Sequence, residues 1–305
     1  MTPGTRDVVT VGPLRYGKTA IRFIEVDRRA PAERAREMTA RVSLTGGIDE
    51  AYLEGDNARM VTTDALAGLV QQRCGELVGT APEEMAIAVV STLAAHYPHL
   101  PDIALSLDVR ALEAVDGARH CHIRSSREVM AATARLRGTA VRCRARLRGL
   151  SLLRTSGSRF EGFVVDAYTT TRPATDRAIG GAVEASWEAR QDERQVDWTA
   201  LRSAVRTALV ASFSGEESSS VQHLAYLMAR RALSEAPALG AIDVALSTIR
   251  LSPRSAGQES SVHAEEPAAQ AFGLSKAPRG TVRARLRREA PTVPSRPGTS
   301  KGDDR

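Results

Sequence analysis

The stretch that decides the fold reads Val141-Arg-Cys-Arg-Ala-Arg-Leu-Arg148. Apolar and basic residues alternate along it, and a period of two places them on opposite faces of a β-strand. The pattern repeats in Val282-Arg-Ala-Arg-Leu-Arg287. Strands with one apolar and one cationic face are typical of an antiparallel sheet that is covered on one side and solvated on the other. The face that we expect to be buried consists of Val141, Cys143, Ala145 and Leu147.

Around this strand, the second half of the chain alternates runs of strands with runs of helices. A helix is predicted after Asp197, because Leu201, Val205, Ala208 and Leu209 share one helical face. The other predicted elements are strands at 141–154, 160–171, 183–190, 242–251 and 281–288, and a helix at about 219–233.

The first half follows the same order of strands, helices and strands. Residues 19–28 and 37–45 are predicted to be extended, and helices are predicted at 64–77 and 82–96, the first with Thr63 or Asp64 as its N-cap. Segregated runs of strands and helices favour an α+β fold.

The length of 305 residues favours two domains with separate cores. We place them at residues 8–143 and 144–290. Residues 252–271, rich in Ser, Gly, Glu and Ala, are predicted to form a loop, and residues 291–305 a disordered tail.

Composition narrows the class of protein and its partners. A net charge of +6 suits a nucleic acid or a small anion, but no aromatic residues interleave with the arginines to stack on bases, so nucleic acid is not expected. There is no apolar run of membrane-spanning length and no signal peptide, and the three cysteines are too few for a disulfide framework. We therefore expect a soluble cytoplasmic protein that does not contact a membrane.

One short region carries chemistry suited to a flat anion. Ser158-Arg-Phe-Glu-Gly-Phe163 supplies a ring that can stack, and Asp176-Arg177 supplies a fixed cation with a planar fork of donors. From residue types alone, Phe160 could equally be a core aromatic and Arg177 could pair with Asp176 on the surface. In the same way, Lys18 could be a solvated lysine and Gln222 an exposed helical residue.

With the longer segment Gly149–Phe163, and with Tyr16-Gly-Lys18, Thr62-Thr-Asp64 and Val221-Gln222 in the same order, the chain resembles the urate oxidase (uricase) family over residues 11–290. The resemblance implies tandem tunnelling-fold (T-fold) domains, each an antiparallel four-stranded sheet with two helices on one face. It also implies a homotetramer whose active sites lie between subunits.

The resemblance further implies which residues form the site. One chain would supply Lys18, Thr63 and Asp64, with Lys18 and Thr63 catalytic. Its neighbour would supply the substrate-binding residues Phe160, Arg177, Val221 and Gln222. Family members use no metal or organic cofactor, and they oxidise urate with dioxygen to 5-hydroxyisourate and hydrogen peroxide in purine catabolism.

Two positions depart from the family pattern. Counting without gaps from Gln222 places Thr248 and Arg250 where the family has an asparagine and a histidine of the proton relay. A threonine can still donate one hydrogen bond, but an arginine stays protonated and cannot act as a base. The alternative function is therefore a non-catalytic homologue that binds urate or a related purine.

The histidines offer a different hypothesis. His120 and His122 could lie on one strand face, near His96 and His99, and together they could hold zinc or copper. A polar contact between subunits explains them better, and we predict no metal site.

Overall fold

The protein forms one long antiparallel sheet with helices on a single face. The computed structural model describes residues 11–29, 33–118, 120–192, 195–249, 251–254, 271–274 and 280–289. Within them, nine strands join the main sheet and two short strands form a separate hairpin.

The strands are β1 (Arg15–Asp27), β2 (Arg34–Thr45), β3 (Asp102–Ala114), β4 (His122–Ile123), β5 (Val129–Arg137), β6 (Ala140–Arg154), β7 (Ile179–Ala189), β8 (Leu239–Ile249), β9 (Leu251–Arg254), β10 (Ala271–Leu274) and β11 (Thr281–Arg287). The helices are α1 (Asp49–Leu53), α2 (Thr63–Glu76), α3 (Pro82–His96), α4 (Trp198–Gly215) and α5 (Val221–Glu235).

The main sheet runs in the order β1-β2-β3-β5-β6-β7-β8-β11, with β4 attached to β3. Its first four strands accompany α2 and α3, and its last four accompany α4 and α5. The two halves meet without a break, because β5 and β6 are joined by a tight hairpin at Gly138 and pair directly from Val129↔Arg148 to Arg137↔Ala140. The order therefore contains the same four-stranded, two-helix unit twice.

The alternation of apolar and polar residues along the strands decides which face of the sheet the helices cover. In β2, the buried residues Met38, Ala40, Val42 and Leu44 alternate with less buried ones. They share a core with Leu66 and Val70 of α2. In β6, Ala145 and Leu147 are buried while the arginines between and beside them remain on the open face. The prediction that alternating residues share a covered face is confirmed for Ala145 and Leu147, and Cys143 is partly buried. Val141 is an exception: it lies next to the hairpin between β5 and β6 and is exposed.

Each half has its own hydrophobic core. The first extends from Ile21 to Leu136, and the second is built mainly from residues between Ala145 and Leu246. A buried ion pair joins the helices of the two halves: Glu83 on α3 and Arg202 on α4. The boundary between domains at residues 143 and 144 stays a prediction, since the sheet itself is continuous.

Several predicted elements need correction. Residues 160–171 do not form a strand: the partner of β6 is β7, and the segment instead turns at Gly162 and at Asp166, whose carboxylate accepts a hydrogen bond from the backbone N–H of Tyr168. Residues 252–254 and Ala271, predicted as loop, belong to strands, since β9 pairs with β10. The remaining loop residues 255–270 and the tail 291–305 lie outside the described residues.

Helix caps follow ordinary side-chain chemistry. Asp197 and Ser220 cap α4 and α5, each accepting a hydrogen bond from a backbone N–H of the first turn. The N-cap of α2 is Thr62, whose hydroxyl accepts from the backbone N–H of Ala65. The prediction of Thr63 or Asp64 as the cap was wrong by one or two residues, because the helix already includes both.

Across the described residues, no helix combines the length and the apolar character that a membrane crossing requires.

Candidate functional site

The loop that carries Phe160 is held between two other segments. The chain leaves β6 at Arg154, and the Phe160 backbone then pairs with Ala174, with N–H to oxygen distances of 2.8 and 3.0 Å. On its other side, the backbone N–H of Arg159 donates to the carbonyl of Ser218 at 2.9 Å. Ser218 belongs to the turn between α4 and α5. The loop is therefore fixed to the approach of β7 and to the start of α5.

Phe160 and Arg177, the two residues proposed for a flat anion, lie in contact. The Arg177 guanidinium carbon lies 4.9 Å from the centre of the Phe160 ring, and the Phe163 ring stacks on Phe160 at 4.8 Å with an interplanar angle of 16°. Burial lowers the pKa of Arg177. Within the described residues its Nε has no hydrogen-bond partner, and no ion pair joins it to Asp176. This cation is therefore available to an anionic ligand.

The start of α5 adds a second anion-binding feature beside this pair. Val221 and Gln222 are its first two residues, and Gln222 is exposed. Ser220 satisfies the backbone N–H of His223 at 3.0 Å. The earlier N–H groups of a helix have no partner within the helix, and they lie at the positive end of its dipole. This end of α5 is thus suited to bind an anion.

Thr248 lies at the end of the sheet where β7 begins, shortly after Arg177. It pairs with Gly181, close to the beginning of β7 and therefore close in sequence to Arg177. Its hydroxyl donates to the Gly280 carbonyl at 3.4 Å, a long hydrogen bond. Arg250 lies outside the described residues. The gap-free placement of Thr248 near the substrate-binding residues stays a prediction, and its position in β8 is compatible with it.

Lys18 lies in β1, an edge strand among those described. Val42 and Leu44, the partners of Lys18 and Tyr16, are buried against the helices. Since directly paired residues point to the same side, Lys18 and Tyr16 point toward the helices. A Cβ on Gly17 would come within 2.1 Å of the Val42 carbonyl oxygen. Glycine is therefore required here, so that β1 can approach β2.

Thr63 and Asp64 form the first turn of α2, and they approach the same part of β1. Burial, the neighbouring Tyr52 and the Asp64 carboxylate together raise the pKa of Tyr16. Lys18 is two residues further along the same strand face. The structure therefore brings Asp64 close to Tyr16, two residues before Lys18, and a site shared by Lys18, Thr63 and Asp64 stays a prediction.

Within one chain, the residues around Lys18 are far from the residues around Phe160. Strands β2, β3 and β5 separate β1 from β6, so four steps of about 4.8 Å place these strands about 19 Å apart across the sheet. Register adds to this separation, because Lys18 aligns through Val42, Leu105 and Ala134 with Cys143, near the beginning of β6. Phe160 follows the other end of β6. A single chain therefore cannot place Lys18 and Phe160 on one purine.

The histidines make polar contacts within the chain, and the predicted contact between subunits stays a prediction. His120 contacts the Glu33 carboxylate at 2.9 Å through Nδ1, and His122 Nδ1 lies 3.9 Å from the same carboxylate. His99 contacts the Arg59 carbonyl at 3.0 Å. In the part of the chain that the structure describes, no group of three His, Cys, Asp or Glu residues is arranged to hold a metal ion.

Two residues near Phe160 were missed by sequence reasoning. Arg154 and Asp176 fix the loop from inside the chain. Asp176 entered the prediction only as a surface partner for Arg177. No local pattern marks either residue, because most of their partners lie about twenty or more residues away in sequence.

Comparisons with known proteins agree on one family. A uricase sequence profile matches residues 143–282. The uricase of Arthrobacter globiformis is 26% identical over 238 residues, covering 78% of each chain. That of Emericella nidulans is 29% identical over 253 residues, covering 78% of this chain and 83% of the relative.

Solved structures agree on the fold. The chain superposes on the crystal structure of uricase from Arthrobacter globiformis with a TM-score of 0.83 at 24% identity, covering 98% of both chains. A uricase from Bacillus fastidious gives a TM-score of 0.76 at 22% identity, covering 90% of this chain and 93% of the other. The predicted α+β fold of tandem T-fold units is confirmed.

Proposed function

Because the chain is similar to uricases in sequence and in fold, we propose that it is a member of that family and oxidises urate with dioxygen. Urate, dioxygen and water would give 5-hydroxyisourate and hydrogen peroxide. Two electrons leave the purine and reduce dioxygen to peroxide, and water supplies the oxygen that becomes the new hydroxyl group. Urate itself is the reductant, so the reaction as proposed needs no metal or organic cofactor.

The observation that carries this proposal is the contact between Phe160 and Arg177 beside the start of α5. Once the Phe163 ring moves off Phe160, a flat anion can stack on the freed face while the guanidinium fork binds adjacent oxygen and nitrogen atoms at the edge of the anion. The buried, unpaired Nε of Arg177 supports such a role, because a buried donor without a partner is costly unless a ligand or water satisfies it.

Gln222 would bind the opposite edge of the purine. Its side-chain amide offers both donors and an acceptor, which suits the alternating donors and carbonyls of urate. The Val221 backbone N–H, at the positive end of α5, would favour the anionic form. Together with Arg177, these groups would hold the substrate by its rim and leave its flat side over Phe160.

Lys18 and Thr63 would act from a neighbouring subunit. The separation between β1 and β6 within one chain supports this arrangement, since the two groups can meet only if a second copy supplies one of them. Lys18 would accept a proton from the substrate through the Thr63 hydroxyl, and Asp64 would help to bind the purine. The expected assembly is a homotetramer with its sites at subunit interfaces.

The altered relay should slow the reaction. Thr248 would replace an asparagine that holds dioxygen or water, and Arg250 would replace a histidine. The loss of one preorganised donor costs about 10²- to 10³-fold in rate. The expected turnover is therefore low, in a cytoplasmic pathway of purine breakdown.

The test is to follow urate disappearance at its ultraviolet band and peroxide formation with purified protein, alongside anaerobic urate binding. We expect one peroxide per urate consumed. Lys18→Met should abolish peroxide formation, and Arg177→Met should weaken urate binding. Arg206→Met, on the outer part of α4, is the matched control for loss of an arginine and should change neither.

The outcomes separate the two candidate functions. Urate binding without peroxide in the unmodified protein would show a binding homologue without activity. An absence of both binding and oxidation would refute the proposal. A mixture of inactive Lys18→Met and inactive Arg177→Met chains tests the shared site directly: if subunits exchange, activity should partly return, because some interfaces then combine two intact halves.

A further inference from the structure

Arg154, the last residue of β6, binds four acceptors around the Phe160 loop. Its guanidinium donates to the carbonyls of Phe213 and Glu216 at 2.9 and 2.8 Å, where α4 ends. It also donates to the Gly157 carbonyl at 2.7 Å, and at 3.4 Å it makes a weaker contact with the Ser218 hydroxyl. One cation therefore joins the loop to the turn between α4 and α5.

Asp176 binds the same loop from the opposite side. Its carboxylate accepts from the Ser156 hydroxyl at 2.7 Å and from the Gly157 backbone N–H at 2.5 Å. Burial acts to raise the pKa of Asp176, but the Ser156 hydroxyl and the backbone N–H groups of Gly157, Arg177 and Ser158 together hold it below its ordinary value. The carboxylate therefore joins the loop to the segment that begins β7.

These contacts link the three segments that carry the substrate-binding residues. Phe160 follows Gly157 by three residues, Arg177 follows Asp176 directly, and Val221 follows Ser218 by three. The backbone pairs of Phe160 with Ala174 and of Arg159 with Ser218 complete the connection. If Arg154 or Asp176 were lost, the loop would keep those backbone bonds but lose the charged groups that hold its base.

We propose that Arg154 and Asp176 are positioning residues that set the distance between the Phe160 ring, the Arg177 guanidinium and the start of α5. Both side chains bond to groups of the chain itself, so the role proposed for them is to hold the loop and not to contact substrate. As far as it concerns urate, the inference rests on the proposed function. The geometric part of the inference, that Arg154 and Asp176 hold the Phe160 loop in place, concerns this chain alone and does not depend on urate.

The geometric part is tested by hydrogen exchange without substrate. In Arg154→Met, we expect backbone N–H groups of the segment 155–177, including those of Phe160 and Ala174, to exchange at least about 10-fold faster, since local opening becomes easier. Arg288→Met is the matched control: Arg288 also donates to backbone carbonyls, of Leu233 and Leu239, but near the end of α5. It should leave the segment unchanged.

Equal exchange of that segment in Arg154→Met and in the unmodified protein would overturn the proposal. If Arg154→Met does not fold, Asp176→Asn and Arg154→Lys provide the same comparison. Asp176→Asn keeps the shape of the side chain but loses its charge, and Arg154→Lys keeps the charge but loses the planar fork. Both should give intermediate exchange, and unchanged exchange in both would be equally contradictory.

The functional part is a comparison of kinetic constants. Arg154→Met should raise KM for urate about 10-fold, equivalent to about 1.4 kcal/mol, with a smaller change in kcat, because binding geometry is lost while Lys18 is untouched. Arg154→Lys should recover part of the loss. A fall in kcat alone would contradict the positioning role. If the unmodified protein does not act on urate, the proposed function fails, and hydrogen exchange still decides the role of Arg154.

Discussion

Arg202→Met should destabilise the protein strongly, because it leaves a carboxylate buried without its partner. The Glu83 side chain is 0% exposed and that of Arg202 is 10% exposed, and the two form an ion pair between α3 and α4. The same guanidinium also contacts the Arg146 carbonyl at 3.3 Å and lies 5.4 Å from the Trp187 ring. The substitution therefore removes the charge that compensates Glu83 and a contact between the halves.

The magnitude follows from this burial. Breaking a buried pair by removing one partner costs about 3–5 kcal/mol. With an unfolding entropy of about 2.1 cal/mol/K per residue, 305 residues convert 4 kcal/mol into a fall of about 6 °C in Tm. Glu83→Leu combined with Arg202→Met replaces the pair with apolar groups, and should lie within about 1 kcal/mol of the unmodified protein or above it.

The stability lost in Arg202→Met should depend on pH, and the pKa of Glu83 gives the direction of that dependence. Burial raises the pKa of Glu83 despite the opposing charge of Arg202. The folded state then holds this proton more tightly than the unfolded state does, so stability from the group is largest below the ordinary carboxyl range and is lost as pH rises through the raised pKa. Without Arg202 the pKa rises further. The deficit of Arg202→Met should therefore be larger at pH 8 than at pH 5.

The assay is thermal unfolding of Arg202→Met, the double variant and a control variant. All are measured at one protein concentration, since assembly also contributes to Tm. Arg206→Met is the control, because it lies one turn later on α4 and its pair with Glu128 is more exposed. It should cost less than about 1 kcal/mol. A Tm for Arg202→Met equal to that of Arg206→Met would refute the reasoning, as would a double variant less stable than Arg202→Met.

Three further predictions follow from single features. Thr248→Asn should raise urate turnover, measured as peroxide formation, because it restores a longer donor beside the substrate; no gain would contradict the placement of Thr248. Gly17→Ala should lower both Tm and activity, since its Cβ would meet the Val42 carbonyl at 2.1 Å. A thiol reagent at pH 8 should label one cysteine per folded chain, the exposed Cys121, as judged by mass spectrometry: burial raises the pKa of Cys74 to about 11 and that of Cys143 further. Labelling of Cys74 or of the partly buried Cys143 in the folded chain would contradict this.

Most helices and strands could be predicted because their signals are local. The alternation in β6 and the apolar faces of α2 and α4 depend only on residues next to one another in sequence. The strand predicted at 160–171 was wrong because its residues suit a strand locally while the partner position beside β6 is taken by β7. Strand pairing is a property of the whole sheet, and a short stretch of sequence does not contain it.

The same limit applies to the site. Phe160 and Arg177 could be proposed from their types and from the family resemblance, but their contact at 4.9 Å depends on how the loop closes on Ala174. Arg154 could not be found at all, since its acceptors are backbone carbonyls more than fifty residues away in sequence as well as a near one.

The sequence by itself determined the fold class, the two strand-and-helix units and the residue types suited to a flat anion. These signals depend only on side-chain chemistry and on the spacing of residues that are close together in sequence. The family resemblance implied that Lys18 and Phe160 come from different chains, but only the tertiary structure gave the physical reason, because it separates them within one chain. That distance is the product of strand order and register, which are fixed when distant segments pair, and it makes a second subunit necessary to the proposed site.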